Sequence, residues 1–235
     1  MVGYSLSRLK EFPKVIGGVD KVSGEKAYEV YKRFIPNLHL VSSSRVAEFI
    51  KLMEGCYRDV NIALANELYK IADELGIDFY EARYFANHRY CNIHLPSTGV
   101  GGHCIPLYPL FLIREMEKRG KEAKLLSLAR EINDNMVNYW LEKIALEVLK
   151  FNRPFKEVKV CIKGITYREG VKDINNSRNL LLAKKLLDKG FKVFVYDELF
   201  NKEEIEALGF NYILPEEADI VFDSFKLKIY GREKL

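Results

Sequence analysis

Between residues 44 and 75 apolar side chains recur at Val46, Ile50, Met53, Tyr57, Val60, Leu64, Leu68, Ile71 and Leu75. Steps of three and four sustained over that span predict one amphipathic helix, roughly 45–50 Å long at the α-helical rise. Ser44 stands where an N-cap belongs and Gly76 where a left-handed C-cap belongs. The same reading predicts a helix over about 78–89, a third opened by Pro106 and ending at Gly120, and a fourth over about 121–150. An apolar stripe as long as the first needs a large surface to cover it. A second copy of the chain is the simplest supplier.

The periodicity changes on either side of this helical zone. Upstream, β-like runs at 14–18 and 39–41 flank a helical stretch over about 23–34, too little to build a core alone. Downstream, near-continuous apolar strands at 158–162, 191–196 and 218–222 alternate with helices over 177–189 and 203–208. Such β-α-β alternation predicts an α/β fold with a small parallel sheet covered by helices.

Composition adds limits. With 235 residues, 48% hydrophobic and 30% charged, the chain suits one large globular domain or two small ones. No apolar run approaches the ~20 residues of a membrane-spanning helix. Residues 1–8 lack the apolar core of a signal peptide, so a cytoplasmic location is the default expectation. The net charge of +4 comes from basic and acidic residues scattered along the chain, which argues against a nucleic-acid track. Cys56, Cys91, Cys104 and Cys161 show no CxxC spacing and read as free thiols rather than disulfides or zinc ligands.

The segment richest in chemistry is Gly99-Val100-Gly101-Gly102-His103-Cys104-Ile105-Pro106. Three glycines in four residues let a backbone come close to a ligand or adopt positive φ. With Pro106 in the first turn of a helix, Cys104 would sit at the positive end of the helix dipole beside His103. Both neighbours favour a nucleophilic thiolate. The plainer alternative is a tight turn holding a half-buried cysteine. The glycines do not make a dinucleotide fingerprint, because Cys104 stands where the third glycine would be, so no cofactor-binding residue is assigned.

This octapeptide resembles the nucleophile loop of the UDP-glucose/GDP-mannose dehydrogenase family. Its His-before-Cys form is similar to the branch acting on UDP-N-acetylhexosamines, UDP-N-acetylmannosamine in particular. Pro13 to Gly18, Ala47 to Glu54, Tyr57 to Glu67, Ala129 to Asp134, and Gly164 to Arg168 with Asp173 and Ser177 resemble further family stretches in the same order. The resemblance implies a domain plan: 1–42 as the end of an NAD-binding domain, 43–152 as a central helical dimerisation domain, and 153–235 as a truncated Rossmann-like UDP-binding domain. It implies an NAD-dependent, two-step oxidation of the sugar C6 alcohol to a carboxylate through a thiohemiacetal and a thioester. By the same resemblance Cys104 is the nucleophile and Lys51 steadies the oxyanion. Gly99, Gly101, Gly102, His103 and Arg168 meet the substrate, a UDP-sugar. The alternative for Lys51 is a solvated helix lysine, and for Arg168 a solvated turn.

Three departures qualify those implications. The family's N-terminal cofactor domain has no counterpart here, which leads to an expectation that this chain alone does not turn over and that any NAD site lies on a separate subunit. Gly55 replaces an asparagine one helical turn after Lys51, and Tyr108 replaces an aspartate four residues after Cys104. A second function class therefore stands beside the dehydrogenase: a non-catalytic dimeric scaffold or UDP-sugar-binding module.

Overall fold

The computed structural model describes residues 9–231. Residues 1–8, read above for a leader, lie outside them. The described chain divides into two compact units, one through Tyr57 and one from Arg58 onward. In the first, β1 (Lys14–Ile16) and β2 (Leu38–Leu40) pair in parallel across α1 (Lys21–Tyr31). Asp20 caps α1 by accepting from the Ser23 amide at 2.7 Å. The unit is one β-α-β element, matching the two short β-like runs and the helix between them, together with the first turns of the helix that follows.

The predicted long helix is present as α2 (Ser44–Glu74), 31 residues. It ends with Gly76 at φ +67°, and the Ile77 amide returns to the Ala72 carbonyl at 2.8 Å. That six-to-one bond satisfies an otherwise orphaned carbonyl, as a left-handed C-cap does. α3 (Phe79–Ala86) follows, capped by Asp78, whose carboxylate accepts from the Tyr80 and Glu81 amides.

In the second unit the core forms where α5 (Lys124–Leu149) lies on the sheet. Met136, Val137, Trp140, Leu141, Ile144 and Val148 are buried at steps of one, three and four, a single face of the helix. They meet Val160 and Ile162 of β3 (Lys159–Lys163), Phe222 of β6 (Ile220–Asp223), and Leu182 and Leu186 of α6 (Arg178–Asp188). Trp140 and Phe222 pack with ring centroids 4.8 Å apart. Cys161, on the opposite side of β3, packs with Ile213, Ala218 and Val221 instead. The period-two alternation of β3 thus feeds both faces of the sheet.

The sheet has the order β5-β4-β3-β6-β7, with β4 (Lys192–Tyr196), β5 (Asn211–Tyr212) and β7 (Lys228–Gly231). Pairings are parallel except β6 with β7, so the expected parallel sheet carries one antiparallel edge. The chain leaves β3 toward β4 and β5, crosses over, and returns on the other side as β6. Such a reversal opens a crevice beyond the carboxyl ends of the central strands.

One local expectation is corrected. The helix after the glycine-rich loop is α4 (Tyr108–Glu117), with Leu107 as N-cap and Pro109 in its first turn. Pro106 does not open it. The Cys104 carbonyl accepts from the amides of Leu107 and Tyr108, closing a separate turn that carries the chain to the helix. Cys104 therefore lies outside α4 instead of at its mouth, and the helix-dipole argument does not apply to it, since that effect fades beyond the first turn.

Candidate functional site

The loop running from Ser97 to Cys104 is held from two sides by the second unit. From the helical side, Asn66 of α2 accepts from the Ser97 amide at 2.7 Å and donates to Asn133 at 2.9 Å. Asn133 in turn donates to the carbonyl and the carboxylate of Asp59, which Arg130 binds at 2.6 Å. All four side chains are buried. Burial pushes the Asp59 carboxyl up, against the opposing pull of Arg130 and Asn133. Asp134 bridges Arg130 to Arg178, and Arg178 Nε reaches the Val100 carbonyl at 3.2 Å.

From the αβ side comes the connection between β3 and α6. Gly102 donates its amide to the Asn175 carbonyl at 2.9 Å, and Asn176 Nδ2 donates to the Gly102 carbonyl at 3.0 Å. Asn176 takes φ +50°, a left-handed conformation that asparagine tolerates better than most residues. Gly102 itself has φ +84°, and a Cβ there would lie 2.9 Å from the Tyr167 ring. At Gly101 a Cβ would meet Asn176 O and Tyr167 Cβ at 2.8 Å; at Gly99 it would meet Asn133 O at 2.6 Å. The close approach these glycines permit is an approach of the loop to the chain's own backbone. Of the two uses the sequence offered for these glycines, positive φ is present at Gly99, +122°, and Gly102, +84°.

Beyond this clasp, His103 and Cys104 are both exposed. His103 Nε2 lies 3.0 Å from Asp173 Oδ2, and its ring stands edge-on to Tyr167 at 6.4 Å. Asp173 Oδ1 accepts from the amide and the side chain of Asn175 at 2.9 and 2.7 Å. The Asn175 amide first, with the His103 contact, holds the Asp173 carboxyl below the usual carboxylate range. Asp173, Asn175, Asn176, Tyr167 and Arg178 were not singled out from sequence as site residues. The tandem asparagines before Ser177 were the available signal, since Asn favours turns and positive φ.

The same connection forms a wall of the crevice at the strand ends. A cavity of about 240 Å³ there is lined by Lys163, Thr166, Tyr196, Asp197, Asp223 and Lys226 among others. Asp197 directly follows β4 and accepts from the Ile165 amide at 2.8 Å and the Leu199 amide at 2.9 Å, which fixes the two adjoining turns. Lys163 pairs with buried Asp223 at 3.3 Å. Desolvation works against the ammonium, yet Asp223 leaves its pKa raised. The cavity thus holds two ammonium groups, Lys163 and Lys226, both paired with Asp223, beside the carboxylates of Glu169, Asp197 and Glu198. Arg168 is exposed on the connection, two residues beyond Thr166, whose hydroxyl donates to the Arg168 carbonyl at 2.9 Å.

Lys51 belongs to the first unit. It is exposed on α2 and pairs with Glu54 at 3.0 Å. Of the residues singled out from sequence, the structure gathers Gly99, Gly101, Gly102, His103 and Cys104 on one loop, with Arg168 on the connection that holds it. Among the described residues no group of three or more His, Cys, Asp or Glu is placed to hold a metal ion, and no helix is long and apolar enough to cross a membrane.

Residues 45–135 match the UDP-glucose/GDP-mannose dehydrogenase family, central domain, and residues 161–229 match that family's UDP binding domain. The UDP-N-acetyl-D-mannosamine dehydrogenase of Methanocaldococcus jannaschii is 42% identical over 221 residues, covering 93% of this chain and 49% of the relative. The enzyme of the same name from Campylobacter jejuni is 33% identical, covering 93% and 54%. Among solved structures, the UDP-D-ManNAc dehydrogenase of Pyrococcus horikoshii superposes with a TM-score of 0.83 at 30% identity, covering 95% of this chain and 52% of that one. The chain spans about half the length of the curated relatives it matches. Two consecutive domains of one family, in family order and over most of the sequence, leave one conclusion: the chain belongs to the UDP-glucose/GDP-mannose dehydrogenase family.

Proposed function

We propose that this chain is the thiol-bearing and UDP-binding portion of a UDP-N-acetylhexosamine 6-dehydrogenase, with UDP-N-acetylmannosamine as substrate. The observation that carries the reading is the clasp. One connection, between β3 and α6, both walls the strand-end crevice and seats the loop that presents exposed Cys104. A nucleotide in the crevice would direct its sugar from a surface tied to the nucleophile. Lys163 and Lys226, with Arg168 nearby, suit a diphosphate. Asp197, at the end of β4, suits ribose hydroxyls. The names of the relatives support the N-acetylmannosamine assignment.

In this reading Cys104 adds to the C6 aldehyde and holds the sugar as a thiohemiacetal. Lys51 steadies the oxygen. His103 and the loop glycines keep the thiol in place. NAD is the family's oxidant, and when bound it removes hydride. The turn after β3 does not carry the dinucleotide fingerprint: Gly164 is followed by Ile165, Thr166, Tyr167, Arg168 and Glu169 before the next glycine, Gly170, so the glycine that would let a backbone approach the pyrophosphate is missing from it. Tyr108 in place of a carboxylate and Gly55 in place of an amide favour the second reading, a dimeric UDP-sugar-binding module without turnover.

Titration calorimetry of the 235-residue chain tests what the two readings share, and turnover is what separates them. Both readings expect UDP and UDP-N-acetylmannosamine to bind while NAD gives no heat. Reduction of NAD by the chain with that sugar would remove the second reading; absence of UDP binding would remove both.

A further inference from the structure

We infer that Asn179 is a positioning residue joining the two parts of the site: it ties the crevice wall at Thr166 to the Cys104 loop at Thr98, so that a nucleoside diphosphate in the crevice tightens the loop. The inference rests on the proposal that UDP occupies the crevice, and adds the route by which the loop responds to it.

The geometry is specific. Asn179 lies in the first turn of α6 and is 4% exposed. The helix does not need it as a cap, since Ser177 already accepts from the Leu180 amide at 3.3 Å. Its side chain spans two other segments instead. Nδ2 donates to the Thr166 carbonyl at 2.9 Å, and Oδ1 accepts from the Thr98 hydroxyl. The polarity of this bridge is fixed: a carbonyl only accepts, so the amide nitrogen faces Thr166 and leaves the oxygen for Thr98. Thr98 and Thr166 are buried as well, so a bond lost at either end is not replaced by bulk water.

Thr166 lines the cavity. The loop's other bonds to this side, to Asp173, Asn175, Asn176 and Arg178, end on residues outside the cavity lining. Asn179 therefore carries a two-bond path from the crevice to the loop. UDP seated against Thr166 restrains that segment and, through the carboxamide, the start of the glycine-rich loop. Ordering of one segment by a ligand lowers the cost of ordering the next. The Gly102 amide, bonded to the Asn175 carbonyl, is released when the loop lifts and so reports its opening.

The experiment measures hydrogen exchange over residues 98–102 of the full chain with and without saturating UDP, with calorimetry of UDP binding alongside. UDP is expected to slow exchange in the wild type about fivefold or more, the lower end of coupling between two sites. Thr98→Val keeps the shape of the side chain and removes the hydroxyl. UDP affinity should stay close to wild type in it, while the slowing falls to nearly nothing. Asn179→Asp breaks the other end, because it sets a carboxylate oxygen against the Thr166 carbonyl while keeping an acceptor for Thr98, and should also lose the slowing. Thr98→Ser returns the hydroxyl and should recover it. A purely structural contact would raise exchange equally with and without UDP and leave their ratio unchanged. Retention of the wild-type ratio in Thr98→Val or Asn179→Asp, or UDP binding to the wild type without any slowing, would overturn the inference. Absence of UDP binding to the wild type would instead overturn the crevice reading beneath it.

Discussion

Arg130→Leu is expected to destabilise the second unit by about 3–5 kcal/mol at neutral pH, the usual cost of removing one partner from a buried ion pair. Arg130 and Asp59 have side-chain exposures of 6% and 0%, and their contact is 2.6 Å. Without the guanidinium, Asp59 keeps Asn133 as a donor but loses its counter-charge, and Asp134 loses one of its two arginines. The deficit should depend on pH in a defined direction. Asp59 already has a raised pKa, with burial as the largest cause and Arg130 opposing it. Removing Arg130 raises the folded-state value further while the unfolded value stays ordinary. Such a group supports the fold below its unfolded pKa and ceases to as pH rises through its folded one. The gap between wild type and variant is therefore widest at neutral pH and narrows toward about pH 4. Urea denaturation at pH 7 and pH 4.5 reads both numbers. A pH-independent gap would show that Asp59 is not the group left stranded. Asn133 and Arg178 connect this pair to the loop that carries Cys104, so faster hydrogen exchange at residues 97–102 should accompany the loss.

Leu64→Glu with Ile71→Glu is expected to convert a dimer to a folded monomer. α2 buries Asp59, Ala63, Ala65, Asn66 and Ala72 within the second unit, while Leu64, Ile71 and Leu75 on another face are 46%, 50% and 66% exposed. In the first unit, Val46, Met53 and Tyr57 of the same helix are exposed as well. A stripe of large apolar side chains left open beside a packed face of small and polar ones is what an interface with a second copy requires. At ~1.5–3 kcal/mol for each large apolar side chain buried, two substitutions per copy remove about 6 kcal/mol or more from association, some four decades in Kd. Light scattering on the wild type should give twice the chain mass, and on the variant the mass of one chain with an unchanged circular dichroism spectrum. A monomeric wild type would contradict the dimer proposal.

The sequence made the regular elements readable because their signals are local. The stripe from Val46 to Leu75 placed α2 to within one residue, and the apolar runs at 158–162 and 191–196 placed β3 and β4. β5 escaped because two residues carry no period. β7 escaped because Lys228 to Gly231 pair only at the edge and none of them is fully buried, so the segment has no apolar run to announce it. The start of α4 was misplaced because two prolines compete for its first turn. Pro109 takes it, and the turn closed on the Cys104 carbonyl occupies the place assigned to Pro106.

At the site, three glycines before a histidine and a cysteine correctly announced a close approach, but not of what. The partners at Asn133, Tyr167 and Asn176 lie more than 30 residues away along the chain, beyond any local spacing rule. The same distance hid Asp173. Its relation to His103 exists only because β3 delivers the connection to the loop, a consequence of tertiary packing.

The most direct test of the central proposal is protection of one thiol. Iodoacetamide labelling of Cys104, with Cys91 as internal reference, should slow severalfold when UDP-N-acetylmannosamine saturates the chain and stay unchanged when NAD is added instead. Labelling of Cys104 at the same rate with and without the sugar nucleotide, under conditions where calorimetry shows it bound, would contradict the claim that the thiol faces the substrate.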